Sequence, residues 1–220
     1  MSDAPRVALT FDAEHPDRPH HGDHAGWVLD ELARLDVRAT FFIQGRWAEA
    51  YPEAARRVAA EGHLVGNHSF YHAHMPLLSA DGFARDIAEA QRAIVDATDV
   101  DPRPWLRFPF GAGADVAEIV DRLPGLGYRH VGWDVECYEW DPGRTAREVA
   151  TAAIDGARAR GDGAIVLLHT WPDPVPPALE HVVSALRADG ARFVGVDELD
   201  LEDGLVPIAN PRPAAAPAAG

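Results

Sequence analysis

A single cysteine, Cys137, stands among 220 residues, so no disulfide within the chain can staple the fold. No apolar run approaches the roughly 18 residues that a membrane span requires. The opening residues Met1-Ser2-Asp3-Ala4-Pro5-Arg6 have neither the basic start nor the apolar centre of a secretory leader. The expectation is therefore a cytoplasmic protein, secreted only if a leader has been removed. Positive charge is also short, with 20 Lys and Arg against 35 Asp and Glu and a formal net charge of −15. Nucleic acid and anionic membrane surfaces are excluded as expected partners, because a polyanion would be repelled over most of such a surface. No Gly-rich dinucleotide fingerprint and no internal repeat is present.

What is there is a chain 47% hydrophobic and 25% charged, enough for one sizeable core and too short for two. We read a single domain over residues 1–203, followed over 204–220 by a Pro- and Ala-rich tail that carries too little apolar surface to order itself. Predicted strands run from Arg6 to Asp12, Ala39 to Ile43, His63 to Gly66, Trp105 to Phe108, Tyr128 to Trp133, Gly163 to Leu168 and Arg192 to Val196. Helical patterns lie between them. One, capped by Asp23, runs to about Leu35 with Trp27, Val28, Leu32 and Leu35 inward. Others span about Trp47 to Glu61, interrupted by Pro52, then Ser79 to Thr98, about Asp115 to Leu123, Thr145 to Arg160 and Pro176 to Asp189. This alternation implies βαβ units and a parallel sheet. With about seven strands and no dinucleotide fingerprint, it implies a closed or nearly closed β/α barrel.

Residues at the C-terminal ends of barrel strands converge on one rim. Asp12, Glu14, His68, His72, Arg107, Asp134 and His169 all fall at or just past such ends in this reading. His68 and His72, four apart at what reads as the head of a helix, would aim their imidazoles the same way and grip a divalent ion. Two imidazoles and a carboxylate leave open positions for water and substrate, as a hydrolytic metal site needs. Zinc suits that set, and Co, Mn, Ni and Fe accept it too. A second carboxylate must then take a proton and a separate acid must serve the leaving group. Arg107 would keep such a base ionised, and His169, behind Ile165-Val166-Leu167-Leu168, offers the acid. Of the histidines at 15, 20, 21, 24, 63 and 74, most read as solvated loop residues, with His15, His20 or His24 as substitutes should Glu14 not ligate. Cys137 reads as a buried thiol with no base beside it.

The motifs together resemble a known family. Thr10-Phe11-Asp12, Ala39-Thr40-Phe41-Phe42, Glu61-Gly62-His63 leading to His68-Ser69-x-x-His72, Arg107-x-Pro109-Phe110-Gly111, Trp133-Asp134 with Glu139-Trp140, and Leu167-Leu168-His169 are similar to the polysaccharide deacetylases, the NodB-homology domains of carbohydrate esterase family 4. The resemblance covers roughly Val7 to Leu199. It implies an α/β fold, a distorted (β/α)7 barrel, and metal-assisted removal of acetyl groups from N-acetylated sugars. It further implies Asp12 as base, His68 and His72 as ligands, Arg107 as the partner of the base and His169 as acid. The Phe110 backbone N–H would be an oxyanion donor, with Trp140 and Leu167 walling the acetyl-methyl pocket.

Two positions depart from the family pattern. Where the family has a second Asp as third ligand, this chain has Ala13. Residues 12 and 14 share a side of a strand, so Glu14 replaces it in our reading. Where the family has D-x-x-D-W, this chain has Glu136-Cys137-Tyr138-Glu139-Trp140, which makes Glu139 the partner of His169 and leaves Asp134 as second choice. The expected substrate is an N-acetylated carbohydrate or small amide, a soluble or lipid-linked amino sugar fitting better than a wall polymer. Opening of a cyclic imide or ureide is the alternative reaction, and an inactive carbohydrate-binding homologue the alternative of another class.

Overall fold

A run that is apolar at successive rather than alternate positions belongs in the middle of a parallel sheet, covered on both faces. In the computed structural model, which describes residues 4–17 and 24–201, that place is taken by β1 (Arg6–Ala13). Around it lie β2 (Thr40–Ile43), β3 (Leu64–Asn67), β4 (Trp105–Leu106), β5 (Arg129–His130), β6 (Val135–Glu136), β7 (Ala164–His169) and β8 (Arg192–Phe193). The sheet order is β5-β4-β3-β2-β1-β7-β6, with β8 pairing the start of β1, and every described ladder is parallel. The architecture is α/β, a distorted barrel of seven strands with a short eighth. It is open between β5 and β6, where residues 131–134 cross the seam.

Alternation along β1 sorts its side chains. Val7, Leu9, Phe11 and Ala13 join Val28 and Leu32 of α1 (His24–Arg34) in the cluster between sheet and helices. Ala8 instead joins Phe42, Val131, Trp133, Ile165 and Leu167 inside the barrel. Thr10, Asp12 and Glu14 therefore face the interior with Ala8. Removing the buried Leu9 side chain would cost about 2–5 kcal/mol, because the rigid sheet cannot collapse onto the void.

The outer layer also contains α2 (Gly45–Ala50), α3 (Pro52–Ala60), α4 (Ala80–Thr98), α5 (Ala117–Val120), α6 (Ala146–Arg160) and α7 (Val175–Ala188). Pro52 splits the pattern read as one helix over 47–61, since Tyr51 leaves helical geometry and Pro52 opens α3 at a position where its missing N–H is not needed. Ser79 caps α4 by accepting from Gly82, and Thr145 with Glu148 forms the capping box of α6.

Four readings are corrected. Trp27 is 49% exposed, and the inner face of α1 is Val28, Leu29 and Leu32. The strands expected over 105–108 and 128–133 shorten to two residues each, while Val135–Glu136, unread in the sequence, pairs with β7. The helix expected over 115–123 is the four-residue α5. The Asp23 cap, His20, His21 and the tail over 204–220 lie outside the described residues, as does the His24 side chain.

Candidate active site

Asp12 closes the inward row of β1 and is buried. Its Oδ1 accepts from Arg107 Nη1 at 2.9 Å, and the same nitrogen donates to Thr10 Oγ1 at 2.9 Å. Arg107 is wholly buried; its Nε donates to the Val131 carbonyl at 3.2 Å and its Nη2 to that of Gly132 at 2.9 Å. Phe42 lies 4.2 Å from the guanidinium carbon. Burial pushes Arg107 toward its neutral form and Asp12 opposes that push. Because Val131 and Gly132 belong to the crossing segment, one side chain both holds Asp12 and ties the open seam.

The stretch carrying His68 and His72 is not a helix, contrary to the reading from spacing. Ser69 and His72 have left-handed φ of 64° and 58°, so the chain turns out of helical geometry at both. A hydrogen-bonded loop brings the rings together instead. Ser69 N donates to Asn67 Oδ1 at 2.8 Å, His72 N to Ser69 Oγ at 3.0 Å, and the amides of Phe70 and Tyr71 to the Asp86 carboxylate at 3.0 and 3.1 Å. His68 Nδ1 lies 3.0 Å from the Arg107 carbonyl; an oxygen acceptor there keeps the proton on Nδ1 and leaves the Nε2 lone pair for the cavity.

Glu14 Oε2 lies 3.3 Å from His68 Nε2 and also contacts His72 Nε2. One ligand atom from each of Glu14, His68 and His72 lies within 4.8 Å of the others. Burial works to raise Glu14, but its contacts with His15, His68 and His72 outweigh it and hold the carboxyl well below the usual range. His72 is lowered by burial against the pull of Glu14. A buried carboxylate facing two imidazole nitrogens is the donor set a divalent cation takes, so these residues fit the metal that the resemblance implies. Ala13 cannot take part, since its methyl faces the helices.

From β7 comes His169, whose Nδ1 lies 2.8 Å from Glu139 Oε1. Burial works against its charge, yet Glu139, with Glu14 and Asp12 further off, raises it to about 9. Asp134 has no part in this. It stands at the start of β6, on the opposite end of the barrel, accepting from Ile165 N at 2.9 Å and Arg160 Nε at 3.0 Å. A strand read through Trp133 put Asp134 after a strand end; in fact it precedes a strand.

Asp12, Glu14, His68, His72 and His169 open into one cavity of about 260 Å³, lined also by Phe110, Trp133, Glu136, Trp140, Leu167 and Trp171. Trp140 stands edge-on to His169 with ring centroids 5.0 Å apart. Phe110 has a left-handed φ of 58° and stacks on His74 at 4.4 Å. Three participants were not read from the sequence. Gln44 accepts from His15 N at 3.0 Å and donates to the Phe70 carbonyl at 3.1 Å, tying the Glu14 loop to the His68 loop. Asp86 had a signal, a carboxylate on the apolar stripe of α4 between Phe83 and Ile87. Glu136 lines the cavity, and burial raises its pKa. Cys137 is buried and its thiol is pushed up by burial, as expected of an inert cysteine.

The sequence matches the family model described as polysaccharide deacetylase over residues 2–131. It is similar to the chitooligosaccharide deacetylase of Rhizobium leguminosarum bv. trifolii, 37% identical over 177 residues that make up 80% of this chain and 75% of that one. It is also similar to the peptidoglycan-N-acetylglucosamine deacetylase PgdA of Listeria monocytogenes, 35% identical over 195 residues, 88% of this chain but only 38% of that protein's length. A solved structure described as T48 deacetylase with substrate matches with a TM-score of 0.76 at 30% identity, covering 94% of this chain and 97% of that one.

Proposed function

Because the chain belongs to the polysaccharide deacetylase family, we propose that it is a metal-dependent hydrolase cleaving the acetamide of an N-acetylated sugar, with zinc as the cation. The observation that carries this reading is the convergence of Glu14, His68 and His72 within 4.8 Å, in the cavity that Asp12 and His169 also line. A divalent ion held by those three residues would supply Lewis-acid polarisation of the acetyl carbonyl and acidification of water.

The chain's own groups divide the proton work. Asp12 gives one oxygen to Arg107 and keeps Oδ2 toward the site, 3.5 Å from His68 Nε2, where it takes the proton of the attacking water. His169, kept cationic by Glu139, returns a proton to the departing amine. The Phe110 backbone N–H steadies the oxyanion, and Trp140 and Leu167 wall the acetyl methyl.

Release of acetate from N-acetylglucosamine oligomers by the zinc-loaded protein, with Zn content measured in parallel, tests the proposal. Turnover of a cyclic imide without acetate release would select the ring-opening reading. Sugar binding without turnover after Zn, Co or Mn is supplied would select an inactive carbohydrate-binding homologue.

A further inference from the structure

Glu14 has one more methylene than an aspartate, and a longer carboxylate must lose more rotamer freedom before it can serve as a ligand. Its two oxygens have different surroundings. Oε2 faces His68 Nε2 and His72 Nε2, whereas Oε1 lies 3.3 Å from Trp171 Nε1 and 2.9 Å from His15 Nε2. An indole N–H can only donate, so the Trp171 contact has one direction: it occupies a lone pair of Oε1. His15 is itself fixed. Its amide donates to Gln44 Oε1, its φ is 57°, and its ring stands edge-on to His72 with centroids 4.7 Å apart.

We infer that Trp171 and His15 are positioning residues that make Glu14 a one-oxygen ligand. By holding Oε1 they keep the carboxylate from closing on the cation with both oxygens, and so preserve a coordination place for water and substrate. The device is particular to a chain that draws its third ligand from position 14 rather than 13, and it rests on the reading of Glu14, His68 and His72 as the cation site.

The test is cobalt(II) titration of metal-free protein against a chromophoric chelator, with the visible spectrum recorded, for the unmodified chain, Trp171→Phe, His15→Gly and Glu14→Ala. Glycine suits position 15 because a left-handed φ costs it nothing. Trp171→Phe and His15→Gly are expected to bind about tenfold more weakly. Their visible absorption is expected to weaken, as the freed Oε1 joins the ion and raises its coordination number. An unaltered spectrum in both variants overturns the inference whatever the affinity does, since a packing role alone would change occupancy without changing the ligand count. Should Trp171→Phe not fold, His15→Gly carries the same decision. Failure of the underlying cation site is distinguishable: the unmodified chain would not bind cobalt, or Glu14→Ala would bind it equally well.

Discussion

Glu139 and His169 lie 2.8 Å apart, carboxylate oxygen to Nδ1, and both are buried. The pairing fixes which imidazole nitrogen meets the cavity and keeps the ring cationic to about pH 9, above the ordinary 6.5. A pKa raised by folding contributes stability that is present in full below about 6.5 and is lost as the pH rises through about 9. NMR titration of the metal-free protein should find this imidazolium near 9. In Glu139→Gln it should fall by about one unit or more, because burial is then opposed only by Glu14 and Asp12. A titration unchanged by that substitution would remove Glu139 as the cause.

Arg107 offers a stability test independent of any metal. Its guanidinium meets Asp12, Thr10 and two seam carbonyls at 2.9–3.2 Å. Arg107→Met leaves Asp12 buried without its partner and unties residues 131–132. The expected loss in urea denaturation of the metal-free protein is about 3–5 kcal/mol, the range for breaking a buried pair. A loss below about 1 kcal/mol would mean that the seam holds without it.

Leu167 is buried at the cavity wall, on the strand that ends in His169. If its side chain abuts the acetyl methyl, Leu167→Ala makes room for one more carbon. The ratio of kcat/KM for N-propionyl over N-acetyl substrate should then rise about tenfold, the usual scale for one methylene in an apolar pocket. An unchanged ratio would place the methyl elsewhere.

Much of this was legible in the sequence, and the gaps have physical reasons. The parallel β/α architecture followed from strand-helix alternation, which is local. That Asp12 and Glu14 share a side followed from the period of two along β1, and the pairing of His169 with Glu139 from the family motif. His68 and His72 were read as meeting, but through helical spacing. They meet because Asn67, Ser69 and Asp86 tie a loop, and side-chain-to-backbone bonds of that kind leave no periodic trace. Two-residue strands such as β6 offer no period either, which is why Asp134 was assigned to the wrong end. Gln44 acts on residues far away in sequence, and spacing says nothing about it; Trp171, two past His169, reads as lying near the mouth, but its contact with Glu14 leaves no trace in spacing.

Metal content after dialysis, set beside acetate release for Glu14→Ala and Asp12→Asn, bears most directly on the division between ligand and base. Asp12→Asn is expected to keep its metal and lose turnover by about 10²–10⁴, the usual contribution of a general base. Glu14→Ala is expected to lose metal and turnover together. Full metal occupancy in Glu14→Ala would contradict the assignment of Glu14 as the third ligand.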